Sequence, residues 1–282
     1  MDTAPNANPN VDAATVASFG EEWSHFAQED LAPAEVKAMF DAYFAIFPWD
    51  RLPPAAEGFD MGCGSGRWAK RVAPRVGTLH CIDPAIEALA VARRNLADTT
   101  NTDFRHGDVE SADLALGSQD FGYSLGVLHH IPDTRRALAA CVRYLKPGAP
   151  FLLYLYYRFD NRPAWFRALW RVSELGRAVI SMLPKRPKIV VTDVAALTVY
   201  WPLARLAKLA EAAGLAVEGM PLSYYRDLSF YTMRTDSRDR FGTPLEQRFT
   251  RAEIGEMMTA AGLTAITFSP EPPFWCAVGY KA

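Results

Sequence analysis

The chain has 282 residues, half of them hydrophobic, with a formal net charge of -2 and four cysteines. That length holds one large α/β domain with an elaboration, or two small domains, and the near-neutral balance excludes bulk nucleic-acid binding. No apolar run reads as a membrane span and the opening residues lack a basic-then-apolar leader. Cys63, Cys81, Cys141 and Cys276 form neither a C-x-x-C pair nor a disulfide framework, so a cytoplasmic protein with free thiols and no metal site is expected.

Residues 1–10, polar and rich in Asn and Pro, read as a disordered tail. Residues 11–54 read as a helical segment, with Val16, Phe19, Trp23 and Phe26, then Val36, Met39, Phe40, Tyr43 and Phe47 at helical spacing. The stretch Phe19–Trp23 is placed either over a ligand pocket or in ordinary helix packing. A strand containing Phe59 and Met61 then enters Gly62-Cys63-Gly64-Ser65-Gly66, followed by helix-forming residues. Glycine suits such a bend because it accepts unusual dihedrals and lets a ligand approach the backbone.

These letters allow two readings. Gly64-x-Gly66-x-x-Ala69, with Asp83 about 20 residues on, satisfies the dinucleotide fingerprint of NAD(P)-dependent oxidoreductases. Asp60 two residues before Gly62-x-Gly64-x-Gly66 instead resembles the first motif of class I S-adenosylmethionine-dependent methyltransferases. The second strand, Thr78 to Ile82, ends at Asp83-Pro84, where Asp83 is expected to cap a helix starting at Pro84 and to serve a ribose. A third strand leads to Gly107-Asp108-Val109. A fourth, Gln119 to Val127, runs into Leu128-His129-His130-Ile131-Pro132-Asp133, and Asp133 is placed as the cap of the next helix. A fifth apolar strand is expected from Pro150 to Tyr157.

After it the strand–helix alternation breaks. Two long helical patterns cover Arg162–Leu183 and Val194–Ala213, with Trp201-Pro202 as a kink, followed by an aromatic stretch and a polar loop from Arg234 to Pro244. Thr250-Arg251-Ala252-Glu253 is a capping box, and two final strands close the chain. Residues 55–157 and 249–282 thus read as one domain and 158–248 as an inserted cap.

The glycine turn, Asp108 and above all the segment after the fourth strand resemble the ubiquinone/menaquinone-biosynthesis-like methyltransferases, over roughly Phe59–Tyr157 and Phe249–Tyr280. The resemblance implies a Rossmann-like α/β fold with a mostly parallel seven-stranded sheet, helices on both faces and S-adenosylmethionine as cofactor. It further implies that Asp60, Gly62, Cys63, Gly64, Gly66, Asp83, Pro84, Asp108, Val109, Leu125, Gly126 and Leu128 surround that cofactor. In this reading Asp60 stands near the methionyl amino group, Asp83 at the ribose and Asp108 at the adenine. His129 is the first candidate for a general base and His130 the second, packing being the bland alternative for both. Trp23, Tyr156, Tyr157, Tyr224, Tyr225 and Tyr231 are candidates for an acceptor pocket. The acceptor is a small molecule, hydrophobic or anionic, methylated on O, N or C, and a non-catalytic nucleotide-binding protein is the remaining alternative. Between Arg162 and Lys188, seven Arg and Lys face the single acid Glu174 and interleave with Trp165, Phe166 and Trp170. That composition fits a peripheral membrane contact, an acidic acceptor, or merely a solvated helix face.

Overall fold

The structure is a computed structural model and describes residues 8–26 and 31–282. Its elements in chain order are helices α1 (Ala13–His25) and α2 (Pro33–Tyr43), strand β1 (Glu57–Met61), α3 (Ala69–Val72), β2 (Thr78–Asp83), α4 (Ile86–Asn95), β3 (Thr102–His106) and β4 (Phe121–Leu125). There follow α5 (Thr134–Arg143), β5 (Pro150–Tyr154), α6 (Ala164–Ser181), α7 (Lys185–Ala195), α8 (Trp201–Ala212), α9 (Phe230–Gly242), α10 (Arg251–Ala260), β6 (Leu263–Phe268) and β7 (Ala277–Lys281).

The strands make one seven-stranded sheet in the order β3-β2-β1-β4-β5-β7-β6. Strands β1 to β5 pair in parallel, whereas β7 runs antiparallel to both β5 and β6. A dinucleotide-binding sheet is ordered 3-2-1-4-5-6 and lacks a strand wedged in this way. The expected seven-stranded, mostly parallel fold is therefore present, and the oxidoreductase alternative loses its structural basis. Phe59, Met61, Phe151 and Leu153 from the sheet pack with Leu138 and Val142 of α5 and with Ile254, Met257 and Met258 of α10 in one buried core. Thr250 and Glu253 form the anticipated reciprocal cap of α10.

β1 looks poor as a strand because it offers only two large apolar residues. The register explains this: Gly58 pairs with Phe121 and Phe59 with Gly122, so each glycine lies opposite a phenylalanine. A methyl group added at Gly58 would stand 2.2 Å from the Phe121 ring, and one at Gly122 would stand 2.4 Å from Phe59. Four residues thus build two aromatic cores between neighbouring strands, and the glycines contribute by leaving space.

The chain divides into two compact units, one of 1–28, 37–158 and 245–282, the other of 29–36 and 159–244. The second contains α6 to α9. Its α9 corrects the expected polar loop: residues 230–242 form a helix capped by Ser229, whose hydroxyl accepts from Thr232 N. Hydrophobic periodicity could not announce this helix, because Thr232, Thr235, Ser237 and Arg238 are among its buried residues. They are accommodated by hydrogen bonds, including Ser237 Oγ to Thr192 O at 2.8 Å and a two-pronged Arg234–Asp193 pair at 3.0 and 2.7 Å. At the capped N-terminus, Glu35 accepts from Ser229 N and from Thr232 Oγ1 at 3.0 and 2.6 Å.

A second correction concerns α7 and α8. They run continuously as Lys185–Ala212 through a π turn at Ala196–Tyr200, which takes up the strain anticipated at Pro202. This stretch is long and apolar enough to cross a membrane, contrary to the expectation that no run qualifies. Its scattered charges, Lys188, Asp193 and Arg205, concealed it in the linear reading.

The Gly–Phe complementarity is directly testable. Gly58→Ala forces the Phe121 ring out of its place, and a loss of about 1–3 kcal/mol of stability is expected. Urea unfolding measures it, and an unchanged midpoint would show that the sheet opens around the methyl at no cost.

Candidate functional site

The site begins where β1 ends. Gly62 and Gly64 have φ of +79° and +54°, values that L side chains rarely adopt. Space is restricted as well: a methyl at Gly62 would meet Val127 at 2.4 Å, and one at Gly64 would meet the Trp23 indole at 3.1 Å. The turn is tied to the neighbouring strand by Gly62 N and Cys63 N, which both donate to Ile82 O at 2.8 and 3.0 Å.

Asp83, at the carboxyl end of β2, completes the fastening. Its Oδ2 accepts from Gly64 N and its Oδ1 from Ala85 N, both at 2.9 Å. Burial raises its carboxyl to about 6, against the opposing pull of these two amides. The expected helix cap is corrected here. α4 starts at Ile86 with Ala85 in the cap position and no side-chain cap, so Pro84 lies outside the helix and Asp83 caps the glycine turn instead. An Asp–Pro pair two residues upstream of the helix serves a different turn.

Around this turn lies a cavity with about 990 Å³ of empty space, its open mouth included. Gly62, Cys63, Gly64, Asp83, Pro84, Asp108, Val109, Leu125, Gly126, His130 and Trp23 line it, together with Asn10, Thr15, Phe19, Met61, Arg67, Trp68, Val127 and Ile131. Asp60, Gly66, Leu128 and His129 are not part of this lining. Gly66, with φ of +77°, closes against Leu96 and Ala92, and Leu128 is fully buried.

Asp60 sits behind the cavity wall, 1 % exposed, where its Oδ2 accepts from the Tyr123 hydroxyl at 3.0 Å. Burial, with the negative charge of Asp83 adding to it, pushes its carboxyl up to about 8. Asp108 is engaged in its own turn: its Oδ1 accepts from Glu110 N and Ser111 N at 2.7 and 3.1 Å. Its Oδ2 accepts from the Asn8 side chain at 3.3 Å.

The two histidines separate. His129 is fully buried, with no hydrogen-bond partner for either ring nitrogen among the described residues, and its ring lies 3.9 Å from Tyr156 and 4.0 Å from His130. Burial, then the neighbouring His130 and Arg248, hold its basicity well below that of an ordinary histidine. His130 reaches the cavity wall, with Phe19 edge-on at 4.8 Å. Its Nδ1 lies 2.7 Å from Leu245 O. A carbonyl can only accept, so Nδ1 carries the proton and, in the neutral ring, the basic lone pair is on Nε2.

Of the other acceptor-pocket candidates, Trp23 lies over the glycine turn, whereas the five tyrosines do not line this cavity. Tyr156 packs on His129 beneath the Arg248 guanidinium, 5.1 Å away, and Tyr157 stands edge-on to Phe274. Tyr225 packs on Tyr200 and Tyr224 in the second unit, to which Tyr231 also belongs.

Linear reading missed the hydrogen bonds that hold one wall of the cavity. Of the tail expected over 1–10, residues 1–7 lie outside the described residues, but Asn10 is 3 % exposed and exchanges two hydrogen bonds with the backbone of Asp133, at 3.1 and 2.7 Å. Thr15 Oγ1 accepts from Leu245 N at 3.3 Å. The run of helix-breaking Asn and Pro concealed a polar anchor whose partner is 123 positions away.

Residues 59–153 match the family described as methyltransferase domain. A ubiquinone biosynthesis O-methyltransferase of Thiobacillus denitrificans is 29 % identical over 234 residues, which cover 81 % of this chain and 94 % of that protein. A ubiquinone biosynthesis O-methyltransferase of Paracidovorax citrulli is 28 % identical over 188 residues, covering 64 % of this chain and 74 % of its own. The crystal structure of a SAM-dependent methyltransferase from Methanosarcina mazei superposes with a TM-score of 0.50 at 18 % identity, over 82 % of this chain and 95 % of that one, a likeness of fold. With its wedged antiparallel strand and a domain match that begins in β1 and ends in β5, the chain is similar in sequence and fold to the S-adenosylmethionine-dependent methyltransferases.

Proposed function

We propose that this methyltransferase acts on a hydroxyl oxygen of an apolar aromatic acceptor, of the kind that quinone biosynthesis uses. The observation that carries this reading is the His130 ring in the cavity wall, fixed in one tautomer because Nδ1–H donates to Leu245 O. A neutral hydroxyl is a weak nucleophile until its proton is removed, and a histidine fixed in one tautomer supplies that base. Phe19, Val127 and Ile131 surround it with apolar surface suited to a ring. The relatives named O-methyltransferases support oxygen over nitrogen or carbon.

The cavity also fits the cofactor. Bound S-adenosylmethionine supplies an activated sulfonium methyl. Asp83, with lone pairs beyond those taken by Gly64 N and Ala85 N, would accept from the ribose hydroxyls. Asp108 would face the adenine amine, taking it in place of the Asn8 amide. Asp60, behind Met61, would answer the methionyl ammonium through its charge, and Gly62 and Gly64 would leave their backbone open to close approach. The protein's own work is alignment, exclusion of water by the α1 wall, and proton removal at His130. His129, buried and held neutral, would act as packing behind it.

Two outcomes are expected. His130→Ala lowers kcat for labelled methyl transfer to a phenolic acceptor by about 10²–10⁴-fold with little change in cofactor affinity, whereas His129→Leu retains turnover. Equal losses in the two variants would remove His130 as base. The second concerns protons: Asp60, raised to about 8, is largely protonated at neutral pH, and a nearby ammonium favours its charged form. Binding of S-adenosylhomocysteine near neutral pH therefore releases protons, seen calorimetrically as a heat that depends on the buffer. Asp60→Asn removes most of that dependence. The sign for stability is the same: an acid raised on folding stabilises the empty protein below its unfolded pKa and loses that contribution as pH rises through about 8.

A further inference from the structure

Among the described residues, seventeen large hydrophobic side chains stand exposed, and fifteen of them fall within residues 159–244, less than a third of the chain. They are ordered. On α6 the positions Trp165, Leu169, Val172, Leu175 and Val179, continued by Met182 at its C-cap, share one stripe with exposures from 52 % to 77 %, and the helix has no buried residue. Its opposite side is occupied: Glu174 pairs with Arg177 at 3.2 Å and with Arg240 of α9. Along Lys185–Ala212, Val190, Val194, Leu197 and Trp201 repeat at spacings of four, three and four, each 45 % exposed or more. Apolar surface of this extent is far from the scattered exposure of ordinary soluble proteins.

We propose that these two faces of the second unit form a docking surface for an anionic lipid bilayer, lying in its interface. Charge complementarity selects this occupant. Among the residues from Arg162 to Lys188 the only acid is Glu174, which is turned to Arg177 and Arg240, while Arg171 and Arg186 stand exposed beside the stripe. Cationic side chains at the edge of an apolar helix face suit anionic headgroups, and tryptophan suits the headgroup level. A second copy of the chain would bring the same cations against each other.

The long helical run lies on the membrane rather than crossing it, because its other side is built for protein. Lys188 is buried and donates to Gly242 O at 3.0 Å, Asp193 holds Arg234, and Thr192 is fully buried with its carbonyl bound to Ser237. Lipid cannot replace these partners without leaving charges unpaired in hydrocarbon. The inference is independent of which acceptor is methylated.

Sedimentation of the full chain with vesicles tests it. The protein is expected to bind phosphatidylcholine–phosphatidylglycerol vesicles, weakly or not at all to bind pure phosphatidylcholine, and to release with salt and alkaline carbonate. Arg171→Glu with Arg186→Glu, and separately Leu169→Glu with Val179→Glu, are each expected to weaken binding by roughly tenfold or more. Both pairs are exposed, and an unchanged melting temperature confirms that they fold. No binding to anionic vesicles, binding unaffected by either pair, or retention after carbonate would each overturn the proposal. So would a dimer in sedimentation velocity that Leu169→Glu with Val179→Glu dissolves in protein that never binds vesicles.

Discussion

The site depends on one buried carboxylate. Asp83 receives an amide from the glycine turn and another from the approach to α4, so it clamps the exits of β1 and β2 at a fixed separation. Two N–H bonds moderate the penalty of burying this acid without abolishing it, which leaves a group elevated toward neutrality and receptive to further donors. Gly62 and Gly64 can hold their positive φ because something stable holds the turn in place. The neighbouring Asp60, buried with the Tyr123 hydroxyl as its donor and the like charge of Asp83 close by, rises further. Two acids of identical chemistry are thus separated by their surroundings, one already in use as a structural acceptor and the other held in reserve.

Most of the first unit was legible in the linear chain. Strands β1 to β5, the cap at Asp133 and the Thr250–Glu253 box are local patterns, and local patterns survive folding. What escaped were features with partners far away. The apparent weakness of β1 is resolved only by Phe121, and the apparent looseness of Asn10 only by Asp133. The different surroundings of two adjacent histidines come in part from the carbonyl of Leu245, more than a hundred residues on.

The second unit inverts the usual signal. Its central helix α9 is polar and buried in part, while the apolar stripes of α6 and the Lys185–Ala212 run face outward. Reading hydrophobic residues as core, as the spacing of Trp165 and Leu169 invites, assigns both faces wrongly. The helices themselves are recoverable from their period, but the direction of the core is not. Inside this unit hydrogen bonds and ion pairs, among them Arg234–Asp193 and Arg240–Glu174, work beside a small apolar cluster of Tyr200, Ala204 and Met233.

The wall formed by Asn8 to Trp23 has a kinetic meaning. It is held to the sheet side by a few polar links, Asn8 to Asp108, Asn10 to Asp133 and Leu245 to Thr15, and by the Phe19–His130 edge contact. α1 also packs against α4, and a peripheral segment tied in this way opens at a lower cost than the sheet beneath it unfolds. A change at one of these links would therefore alter how readily the wall opens while leaving the hydrophobic core of the sheet untouched.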